Sequence, residues 1–361
     1  MARRGKALGK ILAYNLLALV VLAALAITFT VGWTPVFGPK ARPVSNRRFE
    51  ATPSRLERGK YLAETRMGCI ECHTPKQANV EPSVFTGKPG SGGVFLDEDN
   101  LRVVAANITP DRETGIGAWS DDEISRAIRE GISKDGHALF PIMPYEEFRR
   151  MSDEELASVI VYIRTLEPVR SSLPPDKIPF PLSRLINAAP QPVDHPVSEP
   201  DMNDPIKRGE YIANISCIGC HTPAKSGKPL PGMQFAGGQP FTTSVASANI
   251  TPDQSGIAYY DEKLFMDVMR TGRVKARQLH VMPWWIFAKM TDDDLKATYA
   301  YLRTVQPVKH RVDNTEPVTE CKLCRHKHGA GDQNVAEATP RRLNTSPNRI
   351  AQLMRRAGLL H

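Results

Sequence analysis

Cys69-Ile70-Glu71-Cys72-His73 and Cys217-Ile218-Gly219-Cys220-His221 decide how this chain is read. C-x-x-C-H is the spacing at which two thiols add to the vinyl groups of a haem while the adjacent histidine lies under the iron. A zinc site needs four ligands at short spacing, usually with a second C-x-x-C about 15–20 residues on. Here the two pairs are more than a hundred residues apart, and each has its own histidine. A thioredoxin-like redox pair wants a βαβ setting, and no strand pattern precedes either pair. Two covalently bound haem c groups are therefore expected, one on Cys69, Cys72 and His73, the other on Cys217, Cys220 and His221.

The surroundings of the two motifs repeat. Arg58-Gly59-Lys60-Tyr61-Leu62-Ala63 answers Arg208-Gly209-Glu210-Tyr211-Ile212-Ala213, and Asn107-Ile108-Thr109-Pro110-Asp111 recurs as Asn249-Ile250-Thr251-Pro252-Asp253. Tyr162-Ile163-Arg164-Thr165-Leu166 recurs as Tyr301-Leu302-Arg303-Thr304-Val305. Units of roughly 105–115 residues are of domain size, well beyond the 20–50 residues of a solenoid repeat. The expected organisation is an N-terminus and transmembrane anchor over 1–36 and a first haem domain over 50–168. A proline-rich linker over 169–204, a second haem domain over 205–310 and a basic, unstructured tail over 311–361 follow. The stretch from Pro168 to Pro205 holds ten of the thirty prolines, the composition of a semi-rigid connector.

Helix signals dominate each unit. Ser54-x-x-Glu57, Ser120-x-x-Glu123 and Ser152-x-x-Glu155 read as capping boxes, and Asp204-Pro205 as an N-cap followed by proline at the first helical position. The helix after Ser152 carries Leu156, Val159, Ile160 and Ile163 on one face; residues 291–305 are its counterpart. Gly-rich loops such as 87–93 separate the helices. The fold class expected is all-α, with early and late helices and loops around each haem edge.

Aligning the repeats selects the sixth iron ligands. Candidates are His137, Met143 and Met151 in the first unit and His280, Met282 and Met290 in the second. The offset set by Tyr162 and Tyr301 puts Met143 on Met282 and Met151 on Met290, whereas neither histidine finds a histidine partner. Met143 and Met282 are each followed by proline and an aromatic residue, which stiffen a loop and aim the thioether. Met151 and Met290 stand just before the N-caps Ser152 and Thr291, where a hydrophobic staple belongs. Met143 and Met282 are the expected ligands, with His73 and His221 opposite them.

On these residues both halves resemble class I cytochrome c domains: Gly59 and Tyr61, or Gly209 and Tyr211, before C-x-x-C-H, then a Met-Pro loop, then a last helix with Tyr162 or Tyr301. The resemblance implies that the early and late helices cross at Gly59 and Gly209, where glycine inside a helix costs about 1 kcal/mol. More narrowly, Asn107 to Asp111, Gly115-Ile116-Gly117-x-Trp119-Ser120-Asp121 and Met143-Pro144-Tyr145 resemble the cytochrome c subunits of membrane-bound alcohol and sugar-acid dehydrogenases. Those usually carry three haems, where this chain has two sites. The role implied is a non-enzymatic carrier of single electrons in a periplasmic respiratory chain, from a dehydrogenase or quinol toward a terminal acceptor. The alternative is a haem enzyme of dihaem peroxidase or thiosulfate dehydrogenase type. Paired methionines and the lack of a spare cysteine in either haem unit argue against it.

The ends of the chain place it. Ile11 to Trp33 is an uncharged, mostly apolar run of 23 residues preceded by Arg3, Arg4, Lys6 and Lys10. That is long enough to span a bilayer, and the positive-inside rule puts the N-terminus in the cytoplasm. The expectation is a single-pass inner-membrane protein with its haem domains in the periplasm. Ala24-Leu25-Ala26 could instead be a signal-peptidase site; an anchor is preferred because the apolar run continues past it. Of the net charge of +8, residues 1–10 account for +4 and residues 319–361 for +5, which leaves the body at −1 and offers no nucleic-acid surface. The tail contains Cys321-x-x-Cys324-Arg325-His326-x-His328. Arg325 breaks the haem spacing and no Met-Pro loop follows, so a third haem is disfavoured. An unstructured remnant, a disulfide or a metal site of two thiolates and two imidazoles remain open. Pro347 to Leu360 could form a short basic amphipathic helix for lipid or a partner.

Overall fold

The computed structural model describes residues 2–30, 32–78, 80–225 and 227–335. Helix α1 (Ala2–Phe29) contains the window Lys10–Phe29, with mean hydropathy 2.4 and no residue buried. By length and composition it can cross a membrane. A short turn, α2 (Thr34–Phe37), follows.

The first repeat contains α3 (Pro53–Glu64), α4 (Cys69–Cys72), α5 (Asp121–Glu130), α6 (Tyr145–Phe148) and α7 (Asp153–Ile163). A connector with α8 (Leu182–Leu185) leads to α9 (Pro205–Ser216), α10 (Ile218–His221), α11 (Glu262–Thr271), α12 (Trp284–Phe287) and α13 (Asp292–Leu302). The all-α expectation is too strict: the chain is mostly helical with small strands. Strands β1 (Gly93–Glu98) and β2 (Leu101–Ala105), β3 (Ala224–Lys225) and β4 (Lys228–Pro229), and β5 (Arg273–Val274) and β6 (Arg277–Gln278) pair antiparallel within the loops. The β1–β2 ladder joins across Asp99-Asn100 and shifts register between Val94 and Leu96. Such ladders pair loop backbone that no helix satisfies.

Local chemistry explains most helix starts. Ser120 and Glu123 form a full capping box at α5, and Asp204 caps α9 ahead of Pro205. At α3 the N-cap is Thr52, not Ser54, because Pro53 takes the first helical position and the Thr52 hydroxyl accepts from Arg55 N–H at 3.3 Å.

Two helix crossings organise the body: α3 on α7 and α9 on α13. A Cβ on Gly59 would sit 1.9 Å from the Ser158 carbonyl oxygen, and one on Gly209 1.9 Å from that of Ala297. Glycine is required because backbones touch there. Leu62, Ile124, Val159 and Ile160 fill the first core; Ile212, Phe235, Leu295 and Leu302 fill the second.

The repeats meet reciprocally. Glu155 does not turn back onto its own cap as the Ser152 box predicted. Instead Ser152 N–H donates to the Tyr211 hydroxyl at 2.7 Å, which donates to Glu155 at 2.8 Å. In mirror fashion Thr291 N–H donates to the Tyr61 hydroxyl at 3.1 Å, which donates to Asp294 at 2.6 Å. Each late helix is thus capped by a tyrosine of the other repeat. Buried Arg66 bonds Glu155 at 3.0 Å, while Arg58 and Arg208 hold Glu155 and Asp294 from within their own repeats.

The connector runs as a strap over the first repeat: the Val169 carbonyl accepts from Asn107 at 2.7 Å and Lys177 pairs with Arg102. The tail departs from expectation. Residues 311–335 are folded, with β7 (Val318–Glu320) paired to β8 (Lys327–Gly329), because polar groups tie them to the second repeat. Asn314 exchanges two hydrogen bonds with the Ala246 backbone at 3.0 and 2.9 Å. The amphipathic pattern of Pro347 to Leu360 lies outside the described residues.

Candidate cofactor sites

Both C-x-x-C-H motifs coil into a single helical turn. His73 N–H donates to the Cys69 carbonyl at 2.9 Å and His221 N–H to that of Cys217 at 3.0 Å, which brings each histidine back beside the first thiol. Each imidazole is oriented by one main-chain carbonyl: Nδ1 of His73 lies 2.7 Å from Ala106 O and Nδ1 of His221 lies 2.8 Å from Ala248 O. A carbonyl only accepts, so Nδ1 carries the proton and Nε2 keeps its lone pair for a metal. Burial lowers both imidazoles below their ordinary range, the carbonyl bonds opposing it, so both stand neutral.

The repeated Asn-Ile-Thr segment builds that carbonyl's support. Asn107 Oδ1 accepts from Thr109 N–H and hydroxyl at 2.9 and 2.7 Å, and Asn249 Oδ1 does the same for Thr251. The amide nitrogens donate to Val169 O at 2.7 Å and Val308 O at 2.8 Å. The motif was legible in the sequence; its task, holding the residue before it as an acceptor for the histidine, was not.

In the second repeat Cys217, Cys220, His221, Ile257, Phe265 and Met282 line one mainly apolar cavity of ≈ 990 Å³. That is at the large end of cofactor pockets, and its donor set suits a porphyrin held by two thioethers and a neutral imidazole. Burial pushes the Cys217 thiol up to about 12 and that of Cys220 up to about 11. The first repeat reaches this turn, since a Cβ on Gly219 would lie 2.7 Å from the Glu147 carboxylate.

The Met-Pro loops are equivalent. Pro144 and Pro283 introduce α6 and α12, and the carbonyls of Met143 and Met282 accept from Tyr145 and Trp284 N–H at 2.8 and 2.7 Å. Met143 packs on the first core. Met151 and Met290 are buried core residues whose carbonyls accept from Arg129 and Arg270. His137 is exposed and pairs with Asp135 at 2.5 Å. His280 lines the same cavity as Met282 and faces Glu81 at 3.4 Å.

Residues 206–306 match the family model for cytochrome c. The chain carries a cytochrome c domain. Among its relatives is the cytochrome c subunit of alcohol dehydrogenase (quinone) from Gluconobacter oxydans, 28% identical over 283 residues, covering 72% of this chain and 56% of the relative. The fructose dehydrogenase cytochrome subunit of Gluconobacter japonicus is 30% identical over 330 residues, covering 85% of this chain and 63% of the relative. A dihaem cytochrome c-type protein of Cereibacter sphaeroides is 26% identical over 259 residues, covering 67% and 83%. The chain thus spans only 56% and 63% of the length of the first two curated relatives. A cytochrome c domain implies haem c, and Cys217, Cys220, His221 and Met282, which line the cavity, lie within the matched residues.

Proposed function

We propose that this chain is a membrane-anchored dihaem cytochrome c that passes single electrons from a dehydrogenase, or from quinol, toward a downstream acceptor. The carrying observation is the duplicate setting of the two motifs: each histidine has its Nδ1 proton fixed on an alanine carbonyl and its Nε2 free, and each repeat has a Met-Pro loop. In this reading residues 50–168 and 205–310 are two tandem haem domains joined by the 169–204 strap. Cys69, Cys72, Cys217 and Cys220 would hold two haem c groups, with His73 and Met143 supplying donor atoms to one iron and His221 and Met282 to the other.

Bound haem c supplies a reversible one-electron ferric/ferrous couple, closed to small ligands when methionine completes it. The chain's own contribution is orientation and exclusion. Neutral imidazoles offer lone pairs, apolar linings keep water away, and the tyrosine–carboxylate network fixes the spacing of the repeats. Trp285 of the second Met-Pro loop donates to Glu71 of the first motif at 3.1 Å, so the first attachment turn abuts the second repeat's Met-Pro loop and the two sites lie close together. Proximity favours one electron moving between them. The basic N-terminus and α1 support an inner-membrane anchor with both haem domains on the periplasmic side, beside a dehydrogenase such as those of the named relatives.

The test is a pyridine haemochrome assay with ligand variants. Two haems per chain are expected in the wild type and one in a Cys217→Ser/Cys220→Ser variant. Met143→Ala and Met282→Ala should each abolish one near-infrared thioether-to-iron band and open that haem to CO. One or three haems in the wild type would refute the dihaem reading. Absence of those bands in the wild type would transfer ligation to His137 and His280.

A further inference from the structure

We infer that His310, Cys321, Cys324 and His328 form a tetrahedral zinc site that fastens the tail to the loop behind the second C-x-x-C-H turn. Their four ligating atoms lie within 4.8 Å of one another, and all four residues are buried. His310 Nε2 is 3.2 Å from His328 Nε2 and 3.4 Å from Cys321 Sγ. Zinc bonds of about 2.0–2.1 Å to nitrogen and about 2.3 Å to sulfur give tetrahedral edges of about 3.3 Å for N···N and about 3.6 Å for S···N. The observed separations are those of ligands around one ion.

The proton positions sharpen the case. His310 Nδ1 lies 2.8 Å from Ala236 O and His328 Nδ1 lies 3.0 Å from Gly329 O, both acceptors only. With Nδ1 of each ring donating to its carbonyl, Nε2 is the nitrogen left to ligate, and the two Nε2 atoms face one another inside the protein. A cation between them satisfies both; a Cys321–Cys324 disulfide satisfies neither. Cys324 N–H approaches Cys321 Sγ at 3.5 Å, and Arg325 turns the chain at φ +64°, as a loop wrapping an ion requires.

The imidazole pair is not the one nearest in sequence. His326 points away, its Nε2 2.9 Å from Ala224 O, and His310 replaces it from outside the tail motif. The third-haem reading also lacks its histidine, since Arg325 and not a histidine directly follows Cys324. His310 packs against Gly238, where a Cβ would come 2.6 Å from its ring at φ +87°; the neighbouring Gly237 N–H donates to His221 O at 2.7 Å. Arg311 to Thr315 then continue along the cavity that holds His221 and Met282. The first repeat has the proline-rich strap in this place, anchored at both ends. In the second repeat the ion would fasten the corresponding segment, together with the Asn314 bonds to Ala246.

The experiment is elemental analysis and zinc K-edge absorption on the full haem-loaded chain purified without chelator. The expected result is about one zinc per chain in a two-sulfur, two-nitrogen shell with Zn–S of about 2.3 Å. Cys321→Ser/Cys324→Ser and His310→Ala should lose the zinc, whereas His326→Ala should keep it. Alkylation of denatured, chelator-treated protein should add two groups on Cys321 and Cys324. Absence of zinc with no alkylation would show a disulfide and overturn the site; zinc retained by the double cysteine variant would overturn the ligand set. Neither readout depends on the haem count, so the site and the electron-carrier reading fail separately. If the alanine variants misfold, His326→Ala together with the absorption shell of the wild type still decides.

Discussion

Gly59→Ala pits intrinsic helix propensity against tertiary crossing, and the two give opposite signs. In an isolated α3, alanine would stabilise by about 1 kcal/mol. In the folded chain the new Cβ would lie 1.9 Å from Ser158 O, 2.5 Å from Ser158 C and 2.9 Å from Tyr162 Cβ. An ordinary C···O contact is about 3.3 Å, so α3 and α7 must separate by about 1.4 Å. Backbone lies on both sides of the clash, so no rotamer change relieves it, and the cost belongs at the upper end of overpacking, about 3 kcal/mol. Net destabilisation is about 2 kcal/mol. Gly209→Ala should behave alike, since its Cβ would meet Ala297 O at 1.9 Å and Tyr301 Cβ at 2.8 Å. Urea unfolding of the haem-loaded protein, followed by far-ultraviolet circular dichroism, measures both. A Gly59→Ala variant as stable as wild type, or more so, would show that the helices do not cross where described.

The inter-repeat network should set acid sensitivity. Burial acts to raise the Glu155 carboxyl, but Arg66, Arg58 and the Tyr211 hydroxyl outweigh it and hold it below the usual glutamate range. A depressed carboxylate stabilises fully above its unfolded value of about 4.3 and loses that contribution as pH falls through the folded value. Glu155→Gln should therefore flatten the acid limb of a stability–pH profile below about pH 4.3. At neutral pH it should cost about 3–5 kcal/mol, because Arg66 stays buried without its partner; an unchanged acid limb would refute this. Tyr61→Phe and Tyr211→Phe should each cost about 1.5–3 kcal/mol through a lost bond to a carboxylate. Their combined effect should be non-additive in a double-mutant cycle, because both partners face Arg66. Removing residues 1–33 behind a cleavable signal should move the haem-loaded protein from the membrane fraction to the soluble one; retention in the membrane would relocate the anchor.

What the sequence determined by itself was local or repeated. C-x-x-C-H is read within five residues, the caps Ser120 and Asp204 within four, and the apolar window of α1 within one helix. Duplication narrowed the ligand candidates, since aligning the halves paired Met143 with Met282 and Met151 with Met290 but left His137 and His280 without a histidine partner; the prolines after Met143 and Met282 then set that pair apart. Where a side chain had two possible partners, only the tertiary structure chose. Glu155 fits a capping box by spacing, yet Arg66 and a tyrosine from the other repeat offer it a stronger, buried partnership than its own N-cap. The β1–β2 ladder was not part of the all-α expectation; its pairing depended on loop backbone left unsatisfied by the helices. The tail is the clearest division. Cys321 and Cys324 announced a ligand pair, and His326 lay conveniently close. Which imidazoles join them was decided by carbonyls far along the chain: Ala224 occupies His326, while Ala236 fixes the tautomer of His310 and turns its free nitrogen toward the thiols. Sequence proximity supplies the donors; the fold decides which lone pairs converge.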